Sequence, residues 1–247
     1  MTPFWISAFL DFAPDGFEPG VRFWSSVTEY DVSPPRGDDA EFATLLPRDG
    51  DAFLRVQRRG AGGDRVHLDL HVPDPRAAAD RAAGLGATVV ADHGYVVLLS
   101  PGGFTFCFVD HAAATRPRPS TWPGGHSSLV DQVCLDVPAS SYERESEFWR
   151  DLTGWEERRS AVSTDFHSLL RPEGHPLRLL LQRLGEQDGE VRAHLDWATT
   201  DRAAETARHV RSGASVLDTR EHWTVLADPN GRAYCLTDRE PATGLLG

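Results

Sequence analysis

The sequence predicts an α+β fold in which four βαβββ modules pair into two domains with curved mixed sheets. Three observations predict it. Landmarks of the first half return in order in the second, each half divides again into two like quarters, and each quarter reads strand, helix, then about three short strands. Phe23-Trp24 returns as Phe148-Trp149, and Val56-Gln57-Arg58 as Leu181-Gln182-Arg183. His67-Leu68-Asp69 returns as His194-Leu195-Asp196, and Gly86-Ala87-Thr88-Val89 as Gly213-Ala214-Ser215-Val216. A Pro-x-Gly turn two residues before an aromatic-Cys pair occurs at Pro101 to Cys107 and again at Pro229 to Cys235. Nearly constant spacing across five landmarks marks a tandem duplication.

The second quarter shows the elements in order. Val66 to Val72 alternates as a strand, and Asp74-Pro75 opens a helix with a capping side chain and a proline suited to the first turn. Ala77 to Leu85 carries that helix and Gly86 ends it. Val89-Val90, Tyr95 to Leu99 and Phe104 to Val109 then read as strands, with Ser100-Pro101-Gly102-Gly103 as a turn. The fourth quarter repeats the scheme: Thr200-Asp201 opens a helix to Arg211, Gly213 closes it, and Asp228-Pro229-Asn230-Gly231 forms the turn. Helices of the first and third quarters fall near Gly20–Thr28 and Ser141–Leu152. Domains are therefore expected over residues 1–110 and 129–247. The Pro- and Gly-rich stretch 111–128 links them, with Trp122 packing on one domain.

At 247 residues, with 40% hydrophobic and 25% charged side chains, the chain is large enough for two cores. Its net charge of −12 disfavours nucleic acid and anionic membrane surfaces as partners. Every basic residue is arginine, which reads as genomic base composition rather than chemistry. The N-terminus has no signal-peptide pattern, no apolar run is long enough to span a bilayer, and three scattered cysteines build no disulfide framework. A cytoplasmic monomer or homodimer is expected. Phosphate-binding loops and the serine-hydrolase elbow are missing from the sequence.

Alternation assigns faces to the strands. Leu68, Leu70 and Val72 point toward the helices, while His67, Asp69 and His71 point the other way; Leu195 and Trp197 likewise oppose His194 and Asp196. Paired modules would curl these polar faces into a cup suited to a small molecule. The pattern His-Leu-Asp-Leu, Asp-Pro, Gly-Ala, Pro-x-Gly and aromatic-Cys resembles the vicinal oxygen chelate superfamily, in its glyoxalase-like branch. That superfamily also holds bleomycin-resistance proteins and extradiol dioxygenases.

The resemblance implies a cup in which a divalent metal meets vicinal oxygens of a substrate. Metal ligands would come from first strands (Ser7, His67, Gln132, His194) and last strands (near Arg55, Cys107, Leu180, Cys235). The carboxylates usual in last strands are missing, and Arg55 stands as an adverse charge. A metal site is therefore expected in the second half only, with Gln132, His194 and Cys235 as ligands for one zinc, manganese, iron or nickel ion; a cup without metal stands as the alternative. His194 and Cys235 are the catalytic candidates there, with His194 a general base in the metal-free version. Arg55, His67, Asp69, Tyr95 and Trp223 are the candidate substrate-binding residues. The expected function is a lyase- or isomerase-type enzyme acting on an oxygen-rich metabolite, and the alternative is a protein that sequesters a drug or natural product. An extradiol dioxygenase is disfavoured, because two histidines and a carboxylate cannot be assembled at these positions.

Overall fold

The computed structural model describes residues 2–160 and 163–246. The first half runs β1 (Trp5–Phe12), a short 3-10 turn, α1 (Phe17–Thr28), β2 (Asp31–Val32), β3 (Phe42–Leu46), β4 (Leu54–Arg58), β5 (Arg65–His71), α2 (Pro75–Gly84), β6 (Thr88–Asp92), β7 (Val96–Leu99) and β8 (Thr105–Val109). The second half runs β9 (Ser120–Thr121), β10 (Ser127–Val137), α3 (Tyr142–Thr153), β11 (Glu156–Arg159), β12 (Phe166–Leu170), β13 (Arg178–Arg183), β14 (Arg192–Thr199), α4 (Arg202–Arg211), β15 (Ser215–Thr219), β16 (Trp223–Ala227) and β17 (Ala233–Thr237). Apart from β9, this is βαβββ four times over.

Each half forms one open mixed sheet. The orders are β2-β3-β4-β1-β5-β8-β7-β6 and β11-β12-β13-β10-β14-β17-β16-β15, with β9 added beside β10. First and last strands of the modules thus lie at the centre of both sheets, and the short connecting strands lie toward the edges. The edge pairs repeat down to their irregularities: β6 carries a bulge between Val89 and Ala91, and β15 one between Val216 and Asp218. Such bulges bend an edge strand and interrupt its pairing template.

Local chemistry sets the helix ends. Asp74 accepts from the amides of Arg76 and Ala77 at 3.1 and 3.0 Å, and Pro75 occupies the first turn of α2. Asp201 accepts from Ala204 N at 2.9 Å at the start of α4. Gly86 and Gly213 follow the two helices with φ of 103° and 110°, where a side chain would be strained.

Contacts gather the residues into two compact units. One comprises the segment ending at Phe9, with Val66–Thr115 and Val133–Ala193; the other comprises Leu10–Arg65, Arg116–Gln132 and the segment from His194 onward. Within the first unit, Phe148 and Trp149 of α3 pack on Phe106 of β8, with ring centroids 5.8 and 5.3 Å away. Within the second, Trp24 of α1 packs on Tyr234 of β17 at 5.3 Å, and His209 of α4 meets Trp197 of β14 at 4.8 Å. The repeated Phe-Trp pairs are core residues, each large ring contributing about 2–3 kcal/mol through burial.

The expected linker 111–128 carries structure of its own. β9 pairs antiparallel with β10, with Thr121 opposite Ser127, and the Trp122 amide donates to His126 O at 2.9 Å. Trp122 is buried: its Nε1 donates to Ser128 Oγ at 2.8 Å, and the Arg208 guanidinium lies 3.4 Å from its ring centroid. Pro and Gly composition could not foretell this, because a single Trp-centred anchor leaves no periodic pattern.

Candidate metal centre

Two adjacent strands build the cluster in the second half. His194 and Asp196 lie two residues apart on β14 and so share a face. Asp196 is the direct parallel-strand partner of Cys235 on β17, which brings the thiol to that same face. Leu195 and Trp197 take the opposite face, where Trp197 meets α4. Gln132 arrives from β10, the strand next to β14.

The side chains converge. Asp196 Oδ1 lies 3.2 Å from His194 Nε2, and Cys235 Sγ lies 3.6 Å from the same nitrogen. One donor atom each from His194, Asp196 and Cys235 falls within 4.8 Å of the other two. Gln132 Nε2 donates to Asp196 Oδ2, while Gln132 Oε1 is buried and has no hydrogen-bond partner among the described residues. Burial alone would push the Asp196 carboxyl up; His194, the Arg239 guanidinium and the Gln132 amide together hold it below the usual aspartate value. The carboxylate is thus ionised at neutral pH.

This arrangement fits a divalent cation better than a proton relay. In a nucleophilic thiol–imidazole–carboxylate relay, thiol and carboxylate address opposite ring nitrogens. Here both approach Nε2, and one N–H cannot serve two partners well. A cation among the imidazole, carboxylate, thiolate and orphaned amide oxygen would satisfy all four, and such an N/O/S set suits zinc-like ions rather than magnesium or calcium.

A matching cluster stands in the first half. His67 and Asp69 share a face of β5, Asp69 is the register partner of Cys107 on β8, and donor atoms of the three again lie within 4.8 Å of one another. Here His67 Nε2 and Asp69 Oδ1 are 3.8 Å apart. The Phe9 ring stacks on His67 with centroids 4.4 Å apart and planes 13° from parallel. Ser7, the counterpart of Gln132, is 2.9 Å from His71 Nε2, and His71 Nδ1 is 2.7 Å from His111 O.

The structure therefore brings Gln132, His194 and Cys235 together, and His67 with Asp69. Arg55 sits half-buried on β4 opposite Thr44. Tyr95 is 40% exposed just before β7, its ring 5.6 Å from His93, and Trp223 opens β16 half-buried opposite Thr237. Sequence reasoning placed Asp196 on the polar face beside His194 but did not count it as a donor of the cluster. The signal was present in the His-x-Asp spacing, but the search for a carboxylate was confined to last strands. The buried polar face of β5 also settles its solvation: His67, Asp69 and His71 are each less than 9% exposed.

The model of the glyoxalase-like domain matches residues 7–109 and again 132–237, together most of the chain. Among solved structures, a mutant of 4-hydroxymandelate synthase from Streptomyces coelicolor is similar, with TM-score 0.66, 16% identity, and 99% of this chain and 94% of that one covered. 2,2',3-Trihydroxybiphenyl 1,2-dioxygenase from Sphingomonas wittichii follows at TM-score 0.62 and 18% identity, with 94% and 88% covered. The Mn(II)-bound glyoxalase from Novosphingobium aromaticivorans gives TM-score 0.64 and 16% identity, with 93% and 80% covered. At these identities the likeness is one of fold. A search of curated protein sequences returns no significant match.

Proposed function

The chain belongs to the glyoxalase-like domain family in both of its halves, and from that premise we propose that it acts on an oxygen-rich small molecule at the second-half cluster. Gln132 Oε1, His194 Nε2, an Asp196 oxygen and Cys235 Sγ would hold one divalent cation there. Such a cation supplies Lewis-acid polarisation of a carbonyl or enolate oxygen. The chain's own side chains prepare the place. Asp196 as carboxylate and Cys235 as thiolate offset the two positive charges, and the Gln132 amide fixes Asp196 Oδ2 so that Oδ1 faces His194. Lyase- or isomerase-type chemistry fits this arrangement, since it needs a polarised oxygen beside a reacting carbon and no redox partner. On this reading residues 1–110 and 129–247 are the two domains, and the second carries the reaction.

One observation supports the reading most: carboxylate and thiol converge on a single imidazole nitrogen, beside a buried amide oxygen with no hydrogen-bond partner. The test is metal analysis of protein purified without chelator, alongside His194→Ala and Cys235→Ser. An α-hydroxyketone probe, dihydroxyacetone, is then followed for conversion by chromatography. One equivalent of metal in the parent, reduced in both variants, with metal-dependent conversion, supports the proposal. Metal-free protein that melts higher with bleomycin and converts nothing would point to sequestration instead.

A further inference from the structure

We propose that Tyr234 is a redox-active tyrosine, which gives one electron to an outer-sphere one-electron oxidant while its phenolic proton passes to His209. This goes beyond the function proposed above and does not depend on it.

Three side chains line up in the core of the second half. The Tyr234 hydroxyl lies 2.9 Å from His209 Nδ1, and His209 Nε2 lies 3.2 Å from Glu205 Oε1. Arg208 and Ser128 also donate to Glu205, and His126 Nε2 lies 2.8 Å from it. These bonds fix where the protons sit. Arg208 and His209 hold Glu205 below the ordinary glutamate value against its burial, so it is a carboxylate and only accepts. Burial outweighs Glu205 at His209 and holds that imidazole below the ordinary histidine value, so it is uncharged at neutral pH. Arg208 Nη2 is 3.0 Å from His209 Nε2, but its two hydrogens go to Val27 O and Glu205 Oε1. The Nε2 proton therefore points to Glu205. Nδ1 keeps the lone pair that accepts from the Tyr234 hydroxyl.

The first half shows what the fold itself needs at these positions. Counting back from Gly213 to Gly86, His209 and Glu205 of α4 match Ala82 and Ala78 of α2. Counting back from Cys235 to Cys107, Tyr234 matches Phe106. All six are buried. Two alanines and a phenylalanine thus fill in one half the places that an acid, a base and a phenol fill in the other. Buried ionised groups bring little stability over apolar residues of like volume, and breaks in an apolar core gather at functional sites.

Tyr234, His209 and Glu205 are each 0% exposed, which closes the hydroxyl to a substrate but not to an electron. The Tyr234 ring meets Trp24 at 5.3 Å and Phe23 at 6.0 Å, and Trp197 meets His209 at 4.8 Å, so aromatic rings surround the pair. A phenol in such a core cannot bear the positive charge that electron loss alone would leave. The O–H bond breaks instead: the electron reduces the oxidant, and the proton moves to His209 Nδ1. The products are a neutral tyrosyl radical and an imidazolium whose Nε2–H faces the Glu205 carboxylate.

Flash photolysis with a ruthenium polypyridyl sensitiser and persulfate tests this, because the ruthenium(III) complex it forms takes one electron from outside the core. Transient absorption and EPR follow the tyrosyl radical in the parent chain, Tyr234→Phe and His209→Gln. Tyr234→Phe copies Phe106 of the first half and keeps the ring, so its residual signal is the share of Tyr30, Tyr95 and Tyr142. The parent is expected to give a long-lived tyrosyl signal that Tyr234→Phe loses and His209→Gln lowers severalfold, and that forms more slowly in heavy water. A parent without that signal, or one whose signal Tyr234→Phe leaves unchanged, overturns the proposal. Full yield in His209→Gln overturns it too. If His209→Gln does not fold, the heavy-water rate in the parent decides on the proton: slower formation supports the transfer, and an equal rate overturns it.

Discussion

Gln132 donates its side-chain amide to Asp196 and turns its buried oxygen away from that bond. The amide thus does two jobs, hydrogen-bonding one carboxylate oxygen and offering an acceptor of its own. A Gln132→Glu variant keeps the shape and removes the donor, so two carboxylates would face each other. The chelator-treated variant is expected to lose about 1–3 kcal/mol of stability, while the added negative charge strengthens cation binding. Thermal melts with EDTA and with zinc check this: the zinc-induced rise in Tm is larger in the variant than in the parent. An equal or smaller rise would argue against a cation at this position.

A second buried network ties the start of β10 to α4. Glu205 accepts from Ser128 Oγ at 2.5 Å and from Arg208 at 2.7 and 2.8 Å, lies 2.8 Å from His126 Nε2, and is itself fully buried. Removing this carboxylate by Glu205→Ala leaves the largely buried Arg208 without its counter-charge, which costs about 3–5 kcal/mol. Urea denaturation measures the loss. A change below 1 kcal/mol would show that the network contributes little.

The same carboxyl gives a pH dependence. Burial would raise its pKa, but Arg208 and His209 bonds win and hold it well below the ordinary glutamate value. A depressed folded pKa contributes stability that is present above the unfolded value, about 4.3, and is lost as pH falls toward the folded one. Parent stability should therefore decline below about pH 4.3, with Glu205→Gln showing a shallower decline over that range.

His175 titrates in a separate window. Burial, assisted by Arg171, lowers its pKa from 6.5 to about 4, and its ring meets Trp155 edge-on at 5.3 Å. Below pH 6.5 the unfolded chain takes up a proton that the folded chain refuses until about pH 4, so stability falls across that interval and levels off beneath it. His175→Gln should flatten this arm. Urea midpoints at pH 7 and pH 4.5 compare the two chains, and parallel profiles would contradict the assignment.

The capping residues of α2 and α4 test the duplication itself. Asp74→Ala and Asp201→Ala are each expected to cost about 1 kcal/mol, and the double variant about their sum. Strong coupling between them would show that the two helix starts are not independent equivalents.

Much of this architecture was legible in the residues. Asp74-Pro75, Asp201, Gly86 and Gly213 mark helix ends because their chemistry is local, and the Phe23-Trp24 and Phe148-Trp149 repeats mark the helix faces that become core. The small β9–β10 hairpin was not legible, since Trp122 is held by Ser128 and by Arg208, which lies far along the chain. The role of Asp196 depends on register: only the pairing of Asp196 with Cys235 shows that carboxylate and thiol share a place. His71 was visible as a polar-face residue, but its position between Ser7 and the His111 carbonyl follows from strand neighbours, not from its own strand.

The most direct measurement is an anomalous-difference map from crystals grown with zinc. A peak within coordination distance of His194 Nε2, Asp196, Cys235 Sγ and Gln132 Oε1 is the predicted result. A map with no peak there, and His194 hydrogen-bonded to Asp196 alone, would contradict a metal centre in the second half.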